Sequence, residues 1–350
     1  MLARRQALPH IKSQRGIALL MVLVIVAIAT VLTVGMISAQ QQSVRRAGSL
    51  FAQDQAQLYA LGAEDFVKEL IRNDTDDDKK SSTPRDTLNE AWARPFPAFP
   101  VPGGVIRARL QDAQARFNLN SLVQENTVNQ GALHYFQRLL RQLNYPETLA
   151  YAVVDWEDAD SQPNNLDGAE DDYYTRLTPS YRAANRPLSS LSELRLVRGF
   201  TPEIIQALQP YVVVLPATVT TINVNTMAGG MMSAMVDGMS SSTGDEMVRN
   251  RPADGYKTVD DFLASGVFNA LTSDQKTELK TILGVRTQYF ELIADVEIDE
   301  RHCVMASMIQ RSDSGTLAVI SRDFGRKLPI TDNDKQAAAT ANGTTLPAGN

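Results

Sequence analysis

Cysteine and histidine are nearly absent from this sequence. Cys303 is the single cysteine, so no intramolecular disulfide can form. The three histidines, His10, His134 and His302, are too few and too scattered for a His-rich zinc site. A chain of 350 residues is long enough for two or three domains, whose hydrophobic cores need no covalent cross-link.

Charged residues are missing from residues 16–44, and acidic residues are missing from residues 1–16. A helix over Ile17–Ala39 would be about 34 Å long, and the hydrocarbon core of a membrane is about 30 Å thick. We therefore expect residues 17–39 to be the transmembrane part of an N-terminal helix. The basic residues before it predict that this end stays in the cytoplasm: they are Arg4, Arg5, Lys12 and Arg15.

Gly16 separates the basic leader, residues 1–16, from the apolar run. A secretory signal has a shorter apolar core, of 7–15 residues, followed by small residues at its cleavage site. Here the run is longer and the glycine precedes it, which resembles the leader of prepilins and pseudopilins. The leader alone leaves two interpretations open. It is either a plain signal anchor, or a prepilin-type leader cut after Gly16 so that Ile17 becomes the first residue.

The body of the protein is acidic. The formal net charge is −6, and removing the four basic residues of the leader leaves −10. This balance argues against nonspecific nucleic-acid binding and suits a protein that recruits cations.

Proline is absent between Ile17 and Pro84, so the helix can continue past the membrane to about Arg72. In residues 40–72 the pattern is amphipathic, and a half-buried helix needs a sheet or other helices to lie on. Its apolar positions recur at roughly helical spacing: Val44, Ala47, Phe51, Leu58, Leu61, Phe66 and Leu70. Residues 73–102 break this pattern and predict loop and extended chain.

Two stretches with alternating apolar residues flank a long helical block. Residues 105–119 predict two strands, with a phase shift at Gln111–Asp112 that indicates a hairpin or a bulge. Residues 287–325 predict a three-stranded antiparallel meander. We expect residues 93–120 and 286–326 to form one sheet against the long helix, with 121–285 as an inserted helical domain. The polar tail, 327–350, predicts disorder.

An acidic loop within this block is the strongest candidate for a binding site. Residues 155–172 contain eight acids and no lysine or arginine. Oxygen ligands on a flexible loop suit Ca²⁺, although the register does not match an EF-hand. The residues alone leave a solvated acidic loop equally open. The candidate ligands are Asp158, Asp160, Asp167, Glu170 and Asp171.

Residues 194–205 indicate a helix-hairpin-helix unit, and residues 256–283 a weaker second copy. Such units often bind DNA through the backbone amides of a Gly-x-Gly hairpin, but only Gly199 is present here and the surroundings are acidic. A protein-packing module is therefore favoured over a membrane-anchored DNA receptor of a competence system. No nucleophile elbow or phosphate-binding loop is present in the sequence, so we expect no enzyme.

The chain resembles the minor pseudopilin K family of type II secretion systems. The resemblance rests on the leader and on several segments: Arg116-Phe-Asn-Leu-Asn, Asp155-Trp-Glu-Asp-Ala-Asp, Gly168-Ala-Glu-Asp and Thr221-Ile-Asn-Val-Asn-Thr. It also rests on Met21, because most pilin-like subunits carry Glu at the fifth position after the cleavage glycine and this family lacks it. A carboxylate in lipid is costly, and in a filament the Glu pairs with the amine of a neighbouring subunit.

The resemblance implies an α+β pseudopilin fold, with a long N-terminal helix packed on an antiparallel sheet and a large inserted helical domain. It further implies Ca²⁺ binding, cleavage by prepilin peptidase, methylation at Ile17, and a single-pass protein of the bacterial inner membrane with a periplasmic domain. The implied role is to cap the pseudopilus and initiate its assembly, in a heteromeric tip complex with other minor pseudopilins and without nucleic acid. We expect the partner contacts at Val44, Phe51, Leu58 and Leu61.

Overall fold

The structure of the chain is a computed structural model that describes residues 15–299 and 301–324. The chain divides into two units, Met1–Gln55 and Ala56–Asn350. Helix α1, Arg15–Asp78, contributes to both units and ends later than the predicted Arg72. Residues 1–14 of the predicted leader and the predicted tail from 327 lie outside the described residues.

The first unit contains the apolar part of α1. Among the described residues, this helix is long and apolar enough to cross a membrane, and its most apolar window is entirely unburied. The side chains of Ile17 and Met21 are more than half exposed. Apolar side chains that no protein surface covers are typical of a helix that lipid surrounds.

The second unit contains eight shorter α-helices among its described residues: α2 (Gln130–Gln142), α3 (Leu149–Glu157), α4 (Asp171–Tyr174), α5 (Pro202–Leu208), α6 (Gly229–Ser233), α7 (Ser241–Arg249), α8 (Val259–Leu263) and α9 (Ser273–Lys280). Its long strands are β1 (Phe99–Val101), β2 (Gly104–Asp112), β9 (Tyr289–Ile298), β10 (Arg301–Arg311) and β11 (Leu317–Phe324). Two-residue strands lie between them: β3 (Phe117–Asn118), β4 (Val123–Gln124), β5 (Thr127–Val128), β6 (Val212–Val213), β7 (Ile222–Asn223) and β8 (Leu283–Gly284).

The five long strands form one antiparallel sheet in the order β1-β2-β9-β10-β11. The predicted meander is present as β9, β10 and β11. Asp112 at the end of β2 lies opposite Phe290 at the start of β9. The helical domain therefore leaves and re-enters the sheet at neighbouring positions, which is the geometry that lets a domain be inserted without disturbing its host.

One strand prediction is wrong. We expected the sheet to include residues up to 120, with a bulge or hairpin at Gln111–Asp112, but β2 ends at Asp112. A short 3-10 turn, Ala113–Ala115, follows, and the Asp112 side chain caps it by accepting a hydrogen bond from the Gln114 N–H. Strand β3 then pairs in parallel with β6, inside the inserted domain. The phase shift in the sequence marks this exit from the sheet.

The face of α1 that packs in the second unit differs from the predicted apolar stripe. Its buried residues recur every three or four positions: Ala56, Ala60, Glu64, Val67 and Ile71. Residues three or four apart lie on one face of a helix, and two of the five on this buried face are small alanines. The larger Leu58 and Phe66 lie elsewhere on the helix and are mostly exposed.

Three segments of the inserted domain have the sequence pattern of a helix start: Ser190-Leu-Ser-Glu193 and Thr272-Ser-Asp-Gln275 predict capping boxes, and Thr201-Pro202 predicts a cap followed by a proline at the first helical position. The last two are confirmed. The Thr201 side chain caps α5, whose first residue is Pro202, and Thr272 forms a capping box at α9. The predicted capping box at Ser190 is wrong, because its side chain caps nothing and Leu191–Leu196 is a 3-10 helix. Glu193 instead accepts hydrogen bonds from Ser189.

Glu64 makes one of the polar contacts between α1 and the sheet, and Asp74, which bonds Arg311 of β10, makes another. Its carboxylate is buried, accepts a 2.8 Å hydrogen bond from the Ser307 hydroxyl, and forms a two-pronged pair with the Arg322 guanidinium. Removing the carboxylate would leave the buried Ser307 hydroxyl and one face of Arg322 without their partner.

We expect Glu64→Ala to lower the free energy of unfolding by about 2 kcal/mol, since hydrogen bonds to charged groups contribute about 1.5–3 kcal/mol. Asp65→Ala is the matched control, because Asp65 is exposed and its pair with Lys68 is a surface ion pair, worth at most about 1 kcal/mol. Urea denaturation of the full chain in detergent measures both. Equal losses in the two variants would contradict this account of the helix–sheet contact.

Candidate metal centre

Three buried carboxylates meet near the C-terminal end of α3. Asp155 lies in the last turn of that helix, Asp158 follows its end, and Glu170 directly precedes α4. One oxygen from each lies within 4.8 Å of the others. All three side chains are at least 95% buried, with exposed fractions of 0%, 5% and 3%. Carboxylates that are this close together and this well buried from water repel one another unless protons or a cation neutralise them.

The loop between Asp158 and Glu170 folds back over Asp155. The Asn164 backbone N–H and side-chain amide donate to Asp155 Oδ1 at 3.0 and 2.9 Å, and the same amide donates to Asp158 Oδ2 at 2.7 Å. Gly168 is needed for this approach, because a Cβ at that position would collide with Asp155 Oδ2. Asn164 and Gly168 thus hold the loop against the end of α3.

Four of the six carboxylate oxygens are left without a hydrogen-bond donor in the described part of the chain. They are Asp155 Oδ2, Asp158 Oδ1 and both oxygens of Glu170. Buried polar atoms almost always have a partner. A bound cation would give these converging acceptors a partner.

The pKa values reflect the same crowding. Burial, opposed in part by the Asn164 hydrogen bond, raises the pKa of Asp158 to about 6. Burial and then repulsion by Asp158 and Asp155 raise the pKa of Glu170 to about 8. Burial also raises the pKa of Asp155. A bound divalent cation would reverse this effect by favouring the ionised form of each group.

The donor set suits calcium. Hard oxygen ligands on an irregular loop are typical of Ca²⁺, whereas zinc prefers nitrogen and sulfur ligands and Mg²⁺ demands stricter octahedral geometry. Three carboxylates supply up to six oxygens, and water can complete a shell of six to eight.

The structure brings together two of the five predicted ligands, Asp158 and Glu170. Asp160 and Asp167 are exposed on the loop. Asp171 points elsewhere, since its Oδ1 accepts a 3.0 Å hydrogen bond from the Ala183 N–H. Sequence reasoning missed Asp155 as a member of this cluster. Its position three residues before Asp158, on the same face of a helix, is the signal that could have identified it.

A second acidic group differs in its hydrogen-bond partners. Asp74, Asp86 and Glu90 also have oxygens within 4.8 Å of one another. Here Arg311 bonds both oxygens of Asp86 at 2.5 and 2.6 Å and Asp74 Oδ2 at 3.0 Å, while Glu90 accepts hydrogen bonds from Thr87 and the Trp92 indole. Each of these carboxylates has a donor within the described residues, so we assign this group to the fold.

The other residues predicted as sites lie on α1. Gly16, Ile17 and Met21 are in its first turns. The predicted partner contacts Val44, Phe51 and Leu58 are each about two-thirds or more exposed, while Leu61 is half-buried.

Known proteins match this chain along most of its length. Family models described as type II secretion system protein K match residues 115–217 and 222–286. The type II secretion system protein K of Pseudomonas aeruginosa is 34% identical and covers 92% of this chain and 97% of its own length. The protein K of Klebsiella pneumoniae is 33% identical and covers 89% of this chain and 97% of its own.

A solved structure agrees with these matches. A chain from the GspK-GspI-GspJ complex of the enterotoxigenic Escherichia coli type 2 secretion system superposes with a TM-score of 0.71 at 31% identity. The match covers 81% of this chain and all of the solved one. The long helix, antiparallel sheet and inserted helical domain define a minor pseudopilin with an α+β pseudopilin fold, as predicted. The chain belongs to the type II secretion system protein K family.

The raised pKa of Glu170 predicts a pH-dependent penalty in the metal-free protein. The Glu170 carboxyl has a pKa of about 8 in the folded protein, whereas the ordinary value is 4.5. Between these pH values the folded state therefore binds more protons than the unfolded state, so the free energy of unfolding falls as the pH rises. Glu170→Gln stays neutral. In the presence of a chelator, we expect the melting temperature of this variant to be close to that of wild type at pH 5 and higher than that of wild type at pH 8.

The exposed Asp172→Asn is the control, and its difference from wild type should stay the same at both pH values. Thermal unfolding of the full chain in detergent measures both variants. A Glu170→Gln difference that does not grow between pH 5 and pH 8 would contradict the crowding described here.

Proposed function

We propose that this protein is the tip subunit of a type II secretion pseudopilus, where it caps the fibre and initiates its assembly for the export of folded proteins across the outer membrane. The observation that carries this proposal is the insertion between Asp112 and Tyr289. A subunit in the shaft has neighbours above and below it, and so large an addition would clash with the one above. The end of the fibre removes that constraint.

Met21 supports the same position. A shaft subunit uses a glutamate at this place to pair with a neighbour's N-terminal amine, and methionine cannot. The solved relative from enterotoxigenic Escherichia coli comes from a complex with GspI and GspJ. The partners proposed for this chain are likewise other minor pseudopilins, and its work is structural rather than catalytic.

The proposal includes processing and placement in the membrane. Prepilin peptidase cuts between Gly16 and Ile17, and the new amine of Ile17 is methylated. The apolar, unburied first part of α1 then anchors the protein in the inner membrane, with the remaining domains in the periplasm. The basic leader and the uninterrupted apolar run support this arrangement.

The rival function, a membrane-anchored DNA receptor, is not favoured. Its binding element would be the hairpin between Leu191–Leu196 and α5, where Gly199 adopts a φ of +83°. The neighbouring Arg198 already donates to the carbonyl oxygens of the acidic loop, and phosphates would meet the acids of that loop. The net charge of −10 without the leader opposes DNA in the same way.

Partner binding tests the position at the tip. The full chain, extracted in detergent with the other minor pseudopilins, should co-elute with them as a defined heteromer. Leu58→Glu should abolish co-elution while leaving the melting temperature unchanged, because Leu58 is 68% exposed. The control is Glu69→Lys, a charge change at an exposed position of the same helix. Homopolymers of the wild-type chain, or cross-links that place it repeatedly along the shaft, would refute the tip assignment.

Calcium binding at the cluster of Asp155, Asp158 and Glu170 is the second part of the proposal. The four unpartnered oxygens support it. A ligand at a hundredfold excess over its Kd stabilises the native state by about 2.7 kcal/mol. The full chain in detergent should therefore melt at a higher temperature in Ca²⁺ than in EGTA.

Variants locate the ion. Asp155→Asn combined with Glu170→Gln should abolish the calcium-dependent rise, because both carboxylates lose their charge while keeping their shape. The exposed Asp172→Asn, from the same acidic stretch, should keep the rise. A wild-type melting temperature that is equal in Ca²⁺ and EGTA would refute the site.

A further inference from the structure

Arg198 connects the helix-hairpin-helix element to the segment that carries Glu170. It lies in the hairpin between Leu191–Leu196 and α5 and is half-buried. Within the part of the chain that the structure describes, it forms no ion pair with a carboxylate. Its interactions are with backbone oxygens and aromatic rings, which is unusual beside so many acids.

These interactions lie on both sides of Glu170. The Arg198 Nη1 donates to the carbonyl oxygen of Gly168 at 2.8 Å, and that of Asp167 lies at 3.5 Å. Its guanidinium carbon lies 4.9 Å from the centre of the Tyr173 ring, within the range of a cation–π contact. Its backbone N–H donates to the Tyr174 hydroxyl at 3.2 Å. One residue thus holds the chain two positions before Glu170 and three and four positions after it.

Glu170 needs such a restraint. Asp155 and Asp158 are fixed by the end of α3 and by Asn164, whereas neither oxygen of Glu170 has a donor among the residues that the structure describes. Without an ion, the repulsion between the three carboxylates favours a conformation in which Glu170 turns out to solvent. Anchoring the backbone on both sides of Glu170 keeps its carboxylate facing those of Asp155 and Asp158.

We propose that Arg198 is a positioning residue for the metal centre, which keeps Glu170 in place to complete the cation site. This inference rests on the calcium site proposed above. Outer-shell residues that orient metal ligands typically change metal affinity 10–100-fold when they are replaced.

The sign of the effect separates positioning from simple electrostatics. A guanidinium near the site repels a divalent cation, so loss of its charge alone should strengthen binding or leave it unchanged. Loss of its positioning should weaken binding. The two accounts therefore predict opposite changes for one substitution.

The test measures Ca²⁺ affinity of the full chain in detergent for wild type and Arg198→Gln. We expect Arg198→Gln to bind at least tenfold more weakly, with a melting temperature in EGTA close to that of wild type. Arg182→Gln is the matched control. It removes a mostly exposed cation 3.5 Å from Asp171, the residue after Glu170, and should bind Ca²⁺ equally or more tightly.

Terbium supplies a readout that a general loss of stability would not change. The luminescence lifetime of bound Tb³⁺ in H₂O and D₂O reports the number of coordinated waters. That number should increase in Arg198→Gln because Glu170 leaves the coordination sphere. Tyr173→Ala removes the ring beside the guanidinium and should also weaken Ca²⁺ binding. If Arg198→Gln does not fold, the Ca²⁺ affinity of Tyr173→Ala tests the positioning role instead.

Two outcomes would overturn the inference in distinguishable ways. If wild type binds Ca²⁺ and Arg198→Gln binds it equally or more tightly, Arg198 has no positioning role and the calcium site stands. If wild type binds neither Ca²⁺ nor Tb³⁺, the calcium site itself fails, and the role of Arg198 fails with it.

Discussion

The backbone hydrogen bonds between β2 and β9 are the contact on which the rest of the second unit depends. These strands are far apart in the sequence, yet they pair in register from Gly104↔Ile298 to Asp112↔Phe290. Their pairing closes the host sheet, presents one face to α1, and brings the two ends of the inserted domain together. The insertion can then form its own core around aromatic residues such as Phe117, Tyr135 and Trp156, without contributing a long strand to the sheet.

The two acidic clusters show what separates a structural cluster from a candidate binding site. Around Asp86, an arginine from β10 bonds two of the three carboxylates, and the third accepts hydrogen bonds from Thr87 and Trp92. Around Glu170, the nearby Arg198 bonds to backbone oxygens instead and leaves the carboxylates facing one another. The number of acids is the same in both clusters. The placement of the arginine side chain decides which of them is left with unpartnered carboxylate oxygens among the described residues.

The sequence predicted the features that depend on local pattern. The apolar run, the meander of β9 to β11 and the caps at Thr201 and Thr272 are confirmed, because short-range periodicity and capping chemistry determine them. Features that depend on distant contacts were missed. The buried face of α1 in the second unit carries alanines rather than the larger Leu58 and Phe66, and Asp155 joins the carboxylate cluster because a loop folds back over it. The burial of α1 depends on residues more than 200 positions away, such as Ser307 and Arg322, so a local sequence pattern does not contain it.

Because Asp112 and Phe290 are neighbours in the sheet, the inserted domain can be gained in evolution at a single turn. A chain that leaves a sheet and returns to the next strand at the neighbouring position has, in topological terms, only lengthened a hairpin turn. Loop length adds little to the entropy of closure, about 0.6 kcal/mol for each doubling. An ancestral pilin-like subunit could therefore acquire the whole domain at one turn in a single genetic event. The host sheet would keep every hydrogen bond that it had before.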